Sequence, residues 1–126
     1  MADRIRVLIC DDVAMLRELL RYELEEDDDV VVVGEADNGI DSVRLVNELQ
    51  PDLVVLDLSM PGIDGLEALT QMRVAPRPPV VLVHSGFDAD TMRDRVLALG
   101  AAAYLEKGGS LREVRDTVRR LLEPPA

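Results

Sequence analysis

LVVLDLSMPGIDG, residues 53–65, runs an unbroken Leu/Val segment into a carboxylate, Asp57, and then breaks at Pro61-Gly62. A strand with no polar alternation is covered on both faces, as in parallel sheets whose crossovers lay helices above and below. An acid at the end of such a strand comes to the rim of a buried sheet. Four further runs share the Val/Leu/Ile character: IRVLIC (5–10), VVVVGEA (30–36), PVVLVHS (79–85) and AAYLE (102–106), with DLVVLD (52–57) the third of five strands.

Between the strands the apolar period becomes helical. Leu16, Leu20 and Leu24 are four apart; Ile40, Val43 and Val46 are three apart, as are Leu66 and Leu69; Met92, Val96 and Leu99 follow at four and three. The last helix has the clearest stripe, Leu111, Val114, Val118 and Leu121, with Arg112, Glu113, Arg115 and Arg119 mostly off it. Ser110 is placed to cap that helix, Gly100 to stop the fourth, and Pro124-Pro125 to end the last. The acid run EEDDD (25–29) opposes a helix C-terminus and reads as a solvated loop. Five βα units in succession predict an α/β, (βα)5 three-layer sandwich around a parallel five-stranded sheet, forming one domain over residues 1–126. Residues 123–126 are expected to be a tail or the start of a linker.

Composition narrows the function. There are 25 acidic against 14 basic residues, a net charge of −11, and aromatic residues make up only 2%. A polyphosphate backbone is repelled by such a chain and finds few stacking platforms, so direct nucleic-acid binding by this segment is disfavoured. The single cysteine, Cys10, ends an apolar run and reads as a small core residue, in keeping with a reducing compartment. The charged N-terminus with its short apolar run resembles neither a signal peptide nor a membrane span, and the expected setting is soluble and cytoplasmic.

In parallel α/β sheets the carboxyl ends of the strands gather along one edge. Here they deliver Asp11 and Asp12, Asp57, Ser85 and Lys107 in turn. Carboxylates brought together repel, and a hard divalent ion with oxygen ligands, Mg²⁺ in a cell, is the natural neutraliser. A central carboxylate flanked by a cation and a hydroxyl donor is equipped to take a phosphoryl group as an acyl phosphate. Asp57 is the most central acid, Lys107 the point charge and Ser85 the donor.

The acidic pair after the first strand, LDLSMPGIDGLE around the third, VHSG after the fourth and GAAAYLEK into the fifth stand in one order and spacing over essentially the whole chain. In these the sequence resembles the receiver domains of bacterial two-component response regulators, of the chemotaxis-regulator kind. The resemblance implies a flavodoxin-like strand order of 2-1-3-4-5 and Asp57 as phosphoacceptor from a sensor histidine kinase, a phosphotransfer protein or a small acyl phosphate. It implies Mg²⁺ held by Asp12, Asp57 and the Ser59 backbone carbonyl, with Asp11 reaching it through water, and Lys107 on the phosphoryl oxygens. Ser85 and Tyr104 would form the switch, altering a face made of the fourth helix, fifth strand and fifth helix. The chain would catalyse only its own phosphorylation and dephosphorylation. The chain would be either a free-standing receiver or the N-terminal part of a regulator whose output is transcription through a DNA-binding domain outside this segment, with a homodimer on phosphorylation, and exposed helix-one residues such as Arg17 and Arg21 would bear on partner choice. YLEKGGSLREVRDTVRRLL is similar to receivers that precede a helix-turn-helix domain.

Several residues invite other readings. Asp11 can also cap the following helix. His84 reads as a strand-end side chain beside the site, not a phosphohistidine, and Asp64-Gly65 as turn chemistry. An aspartate-nucleophile phosphatase wants a second acid two residues after the first, where Ser59 stands; a flavin site wants Ser, Thr and Gly where CDDVAM is acidic. The other surviving reading is a receiver-shaped module that binds partners without phosphorylation. Many members of the family have proline after the lysine; Gly108 follows Lys107 here, so the loop uses either a cis bond or glycine's backbone freedom. Phe87, two residues past Ser85, is expected to shield the acyl phosphate from water.

Overall fold

The computed structural model describes residues 4–122. The elements alternate throughout: β1 Ile5–Cys10, α1 Ala14–Glu25, β2 Val30–Ala36, α2 Gly39–Leu49, β3 Leu53–Leu56, α3 Gly65–Arg73, β4 Val80–Ser85, α4 Ala89–Ala98, β5 Ala103–Glu106 and α5 Leu111–Leu122. All strands pair in parallel in the order β2-β1-β3-β4-β5. The third, fourth and fifth strands begin one residue later than the apolar runs suggest, and Asp57 lies just beyond the end of β3.

The unbroken apolar strands divide their side chains between two cores. Val54, Leu56, Val81 and Val83 face α2, α3 and α4, where Val46, Leu69, Met72 and Val96 meet them. Leu53, Val55 and Leu82 face the other way, onto Leu20 and Leu24 of α1 and Val114 and Val118 of α5. Period-two alternation is thus preserved, but both faces are apolar because both are covered. Two stripe residues do not follow the expectation. Ile40 is 60% exposed and Leu99 is 38% exposed. Ile40 lies in the first turn of α2, whose packed face is carried by Ser42 and Val46, and Leu99 is the C-terminal cap of α4.

Helices α2 to α5 are capped by side chains: Asn38 accepts from Asp41 N–H at 2.8 Å, Asp64 from Leu66 N–H at 2.7 Å, Asp88 from Asp90 N–H at 2.7 Å and Ser110 from Arg112 N–H at 3.1 Å. The acid run is not simply solvated. Glu25 ends α1 and accepts Val32 N–H at 3.0 Å, while Arg119 of α5 reaches Asp27 at 3.0 Å and Asp29 at 2.9 Å. That turn fastens the C-terminal helix to the first βα unit. Pro124-Pro125 and the tail or linker expected at 123–126 lie outside the described residues. Among the described residues no helix is long and apolar enough to cross a membrane.

One irregularity positions a charge. The β1–β2 register slips between Val7 and Leu8, pairing Val7 with Val32 but Leu8 with Gly34, so Val33 is an extra residue. Beyond this bulge Glu35 stands opposite Ile9 and therefore on the α1 side of the sheet.

The β3–α3 connection is drawn tight by Gly65. A Cβ there would stand 2.5 Å from Leu58 Cα and 2.6 Å from Leu58 O, both backbone atoms that cannot yield. Gly65→Ala is expected to lower stability by about 1–3 kcal/mol. Gly86→Ala, where nothing lies within 4 Å of the added carbon, should be neutral or stabilising by about 0.4–1 kcal/mol. Urea midpoints of the two variants check the contrast.

Candidate functional site

The β1 and β3 ends lie side by side because these strands pair directly; Asp57 N–H donates to Cys10 O at 2.9 Å, extending the ladder one residue past the strand. This brings Asp11, Asp12 and Asp57 together, with one carboxylate oxygen of each within 4.8 Å of the others. Asp11 and Asp57 are each 2% exposed, whereas Asp12 opens to solvent. Lys107 follows β5, and its amide donates to Ser85 O at 2.7 Å. Its ammonium sits between the two buried acids, 2.8 Å from Asp11 Oδ2 and 3.2 Å from Asp57 Oδ2. Gly108 adopts φ +103°, and no cis peptide occurs among the described residues, so glycine's freedom shapes the turn after the lysine.

Charge in this corner is strongly coupled. Burial pushes the Asp57 carboxyl above its ordinary value of 3.8, against the lowering effects of the Ser59 N–H bond and the Lys107 charge. Burial acts to lower Lys107, but its hydrogen bond to Asp11 and the charges of Asp57 and Asp11 prevail, and its pKa rises above 10.5. Three acids balanced by one ammonium leave an excess of negative charge. Octahedral Mg²⁺ with oxygen ligands at about 2.0–2.1 Å spaces those ligands about 3–4 Å apart. One oxygen from each of the three acids lies within 4.8 Å of the others, close to that spacing, and an all-carboxylate donor set is the chemistry a hard divalent ion takes.

Asp11 serves two purposes at once: its Oδ1 accepts Val13 N–H at 2.9 Å at the entrance to α1, while Oδ2 meets the lysine. Ser59 donates its N–H to Asp57 Oδ1 at 3.1 Å. Ser85 is fully buried and its Oγ accepts Phe87 N–H at 3.2 Å. Tyr104 is turned inward at 3% exposure, and its hydroxyl donates to Phe87 O. Glu106 Oε1 accepts Ala89 N–H at 2.5 Å, so β5 also grips the start of α4. Phe87 itself is 46% exposed at the mouth. His84 is 4% exposed, its Nδ1 lacks a hydrogen-bond partner, and burial, then the Lys107 charge, holds its pKa below 6.5. It is a neutral strand-end side chain. Cys10 is likewise inert, its thiol pushed by burial to about 12.

Sequence reasoning missed one participant. Arg17 and Arg21 are not free on the α1 surface. Both bind Glu35, at 3.0 Å and 2.8 Å, and Arg17 Nη1 also donates to the Asp11 carbonyl at 2.7 Å. Only the spacing of two arginines one turn apart hinted at a shared acid. A second signal was present but unused: Lys107 is the only lysine in a chain whose other cations are arginines.

The family model described as the response regulator receiver domain matches residues 7–119. The transcriptional regulatory protein LiaR of Bacillus subtilis is 40% identical over 115 residues, covering 91% of this chain and 54% of that protein. A protein-glutamate methylesterase/protein-glutamine glutaminase of Methanospirillum hungatei is 35% identical over 114 residues, 89% of this chain and 33% of that protein. The signal receiver domain of the response regulator NarL from Mycobacterium tuberculosis superposes with a TM-score of 0.88 at 32% identity, covering 95% of this chain and 97% of that one. The chain thus spans about half the length of LiaR.

The raised pKa of Asp57 fixes a pH dependence. The folded state holds the Asp57 proton more tightly than the unfolded state, so stability is lost as pH rises through the window above about 3.8. Asp57→Asn, free of that penalty, should be more stable than the parent at neutral pH, with the gap closing below pH about 3.8. Urea denaturation across pH measures it.

Proposed function

The chain belongs to the response regulator receiver family of two-component systems and is related to transcriptional regulators; from this we propose that it is a phosphorylation-dependent switch whose phosphoacceptor is Asp57. The observation that carries the reading is the buried Asp11–Lys107–Asp57 cluster, with Asp12 open beside it. One Asp57 carboxylate oxygen attacks the phosphorus of a phosphohistidine or acyl phosphate, an O–P bond forms, and the bond to the donor breaks with its electron pair leaving on the donor. Bound Mg²⁺ would neutralise charge on the phosphoryl oxygens, held by Asp12, Asp57 and the Ser59 carbonyl with Asp11 behind them. Lys107 moves its hydrogen bond from the carboxylate to a phosphoryl oxygen, and Ser85 turns its hydroxyl to another.

The second of these motions links chemistry to output. Ser85 Oγ holds Phe87 N–H, so a Ser85 drawn to the phosphoryl group releases the β4–α4 connection, and Tyr104 carries the motion through its bond to Phe87 O. The face affected is the groove between α4, β5 and α5, about 710 Å³ and bordered by Arg93, Leu105, Arg112 and Asp116. We read residues 1–126 as a single receiver unit acting in the cytoplasm. A sensor kinase or phosphotransfer protein is its donor, and phosphorylation promotes a homodimer. Its effect on transcription is exerted through a further domain; the chain turns over only its own phosphoryl group.

Incubation with Mg²⁺ and acetyl phosphate should add one phosphoryl mass to the intact protein, with none on Asp57→Asn or without Mg²⁺. Lys107→Ala should slow the incorporation about 10²-fold. No adduct in either the parent protein or a trial with a fluoroberyllate mimic favours the phosphorylation-independent module instead. Phe87→Ala should shorten the half-life of the adduct, read by the same mass measurement over time.

A further inference from the structure

Arg17 stands at the beginning of α1, where a cation opposes the helix dipole by about 0.3–1 kcal/mol. Something offsets that cost. Its Nε binds Glu35 at 3.0 Å and its Nη1 donates to the Asp11 carbonyl at 2.7 Å, leaving the side chain only 18% exposed. Glu35 faces α1 because of the bulge at Val33, and it is gripped from the other side by Arg21 Nε and Nη2 at 3.0 and 2.8 Å. The Asp11 carbonyl and the Asp12 amide share one planar peptide unit. A guanidinium fixed by Glu35 and bonded to that carbonyl therefore fixes the plane from which the Asp12 side chain departs.

We propose that Arg17 is a positioning residue for the acidic site: through the Asp11 carbonyl it sets the orientation of the Asp11–Asp12 peptide and so the affinity of the carboxylate cluster for its divalent cation. The inference rests on the metal-dependent reading above. Its sign is distinctive. A cation near a metal site repels the metal, so by charge alone removal of Arg17 strengthens Mg²⁺ binding. By positioning, removal weakens it, as loss of an outer partner of a metal ligand weakens binding by about tenfold or more. Arg21 supplies the control, since it binds the same Glu35 and lies on the same helix, but its other hydrogen bond goes to Val32 O at 3.4 Å and not to Asp11.

MgCl₂ titration followed by the amide resonances of Asp12 and Asp57, in the parent protein, Arg17→Met, Arg17→Lys and Arg21→Met, tests the proposal, with urea denaturation confirming that each variant is folded. The expected result is a Kd about tenfold weaker for both Arg17 variants and within about twofold of the parent for Arg21→Met. Unchanged or tighter binding by Arg17→Met overturns the proposal. So does equal weakening by Arg21→Met, which points to general loosening of α1, or full affinity in Arg17→Lys, which points to charge and not to the guanidinium fork. Absence of any Mg²⁺ response in the parent protein sinks the metal-site reading itself, and that failure is distinct from parity among the variants.

Discussion

The lysine ammonium held between two buried carboxylates is the constraint around which the rest of the molecule is arranged. Asp11 and Asp57 are brought into contact by strand pairing, and without a cation two buried like charges at that distance could not both ionise. Lys107 starts from β5, two strand positions away from β3, at roughly 4.8 Å per strand. It has to cross the end of β4 to arrive. A flexible four-carbon stem with a compact charge can make that crossing, whereas a planar guanidinium is less suited to a point between two acids. The strand it crosses ends in Ser85, with Gly86 just after it, two small residues, and the turn it departs from uses Gly108 at positive φ.

The fifth strand does more than deliver the lysine. Across the four residues Ala103–Glu106 and the one that follows, it supplies Tyr104 to Phe87, Glu106 to the start of α4 and Lys107 to the acids. The segment between β4 and α4 is therefore held by groups from the same strand that leads into the lysine paired with the two acids. In the switch proposed for Asp57 the path to α4 is short, through two hydrogen bonds at Phe87, and needs no long chain of packed side chains. On its other side α5 is pinned: Arg119 and Arg115 bind the α1–β2 turn and Glu23, making α5 a brace for α1.

Much of this was legible in the sequence. The unbroken apolar runs identified five covered strands, and the residues at their carboxyl ends named the acids, hydroxyl and ammonium that the fold brings to one edge. The strand order was carried by resemblance, since periodicity alone does not rank parallel strands. Surface detail was less legible, because a helical stripe states which residues are apolar but not where the helix begins to touch the sheet; Ile40 and Leu99 fall at helix ends and stay exposed. Arg17 was misread for a related reason. Whether an arginine on α1 faces solvent depends on where Glu35 points, and that depends on a one-residue slip in β2 that no composition signal marks.

That slip gives β2 a parity. Val30 and Val32 before it face the α1 and α5 core, and Ala36 after it faces the opposite core, with Glu35 delivered outward to the arginines. Lengthening or shortening a strand is ordinarily absorbed at its loops, but here loss of the slip with Val33 retained, so that Val33 paired with Leu8, would exchange the two sides of everything downstream. Glu35 would be turned toward the α2 core and Ala36 toward the arginines. The side on which the charge stands thus depends on the slip and the extra residue together: removing Val33 itself leaves a regular ladder with Glu35 still opposite Ile9, whereas a regular ladder that keeps Val33 turns the charge to the wrong face.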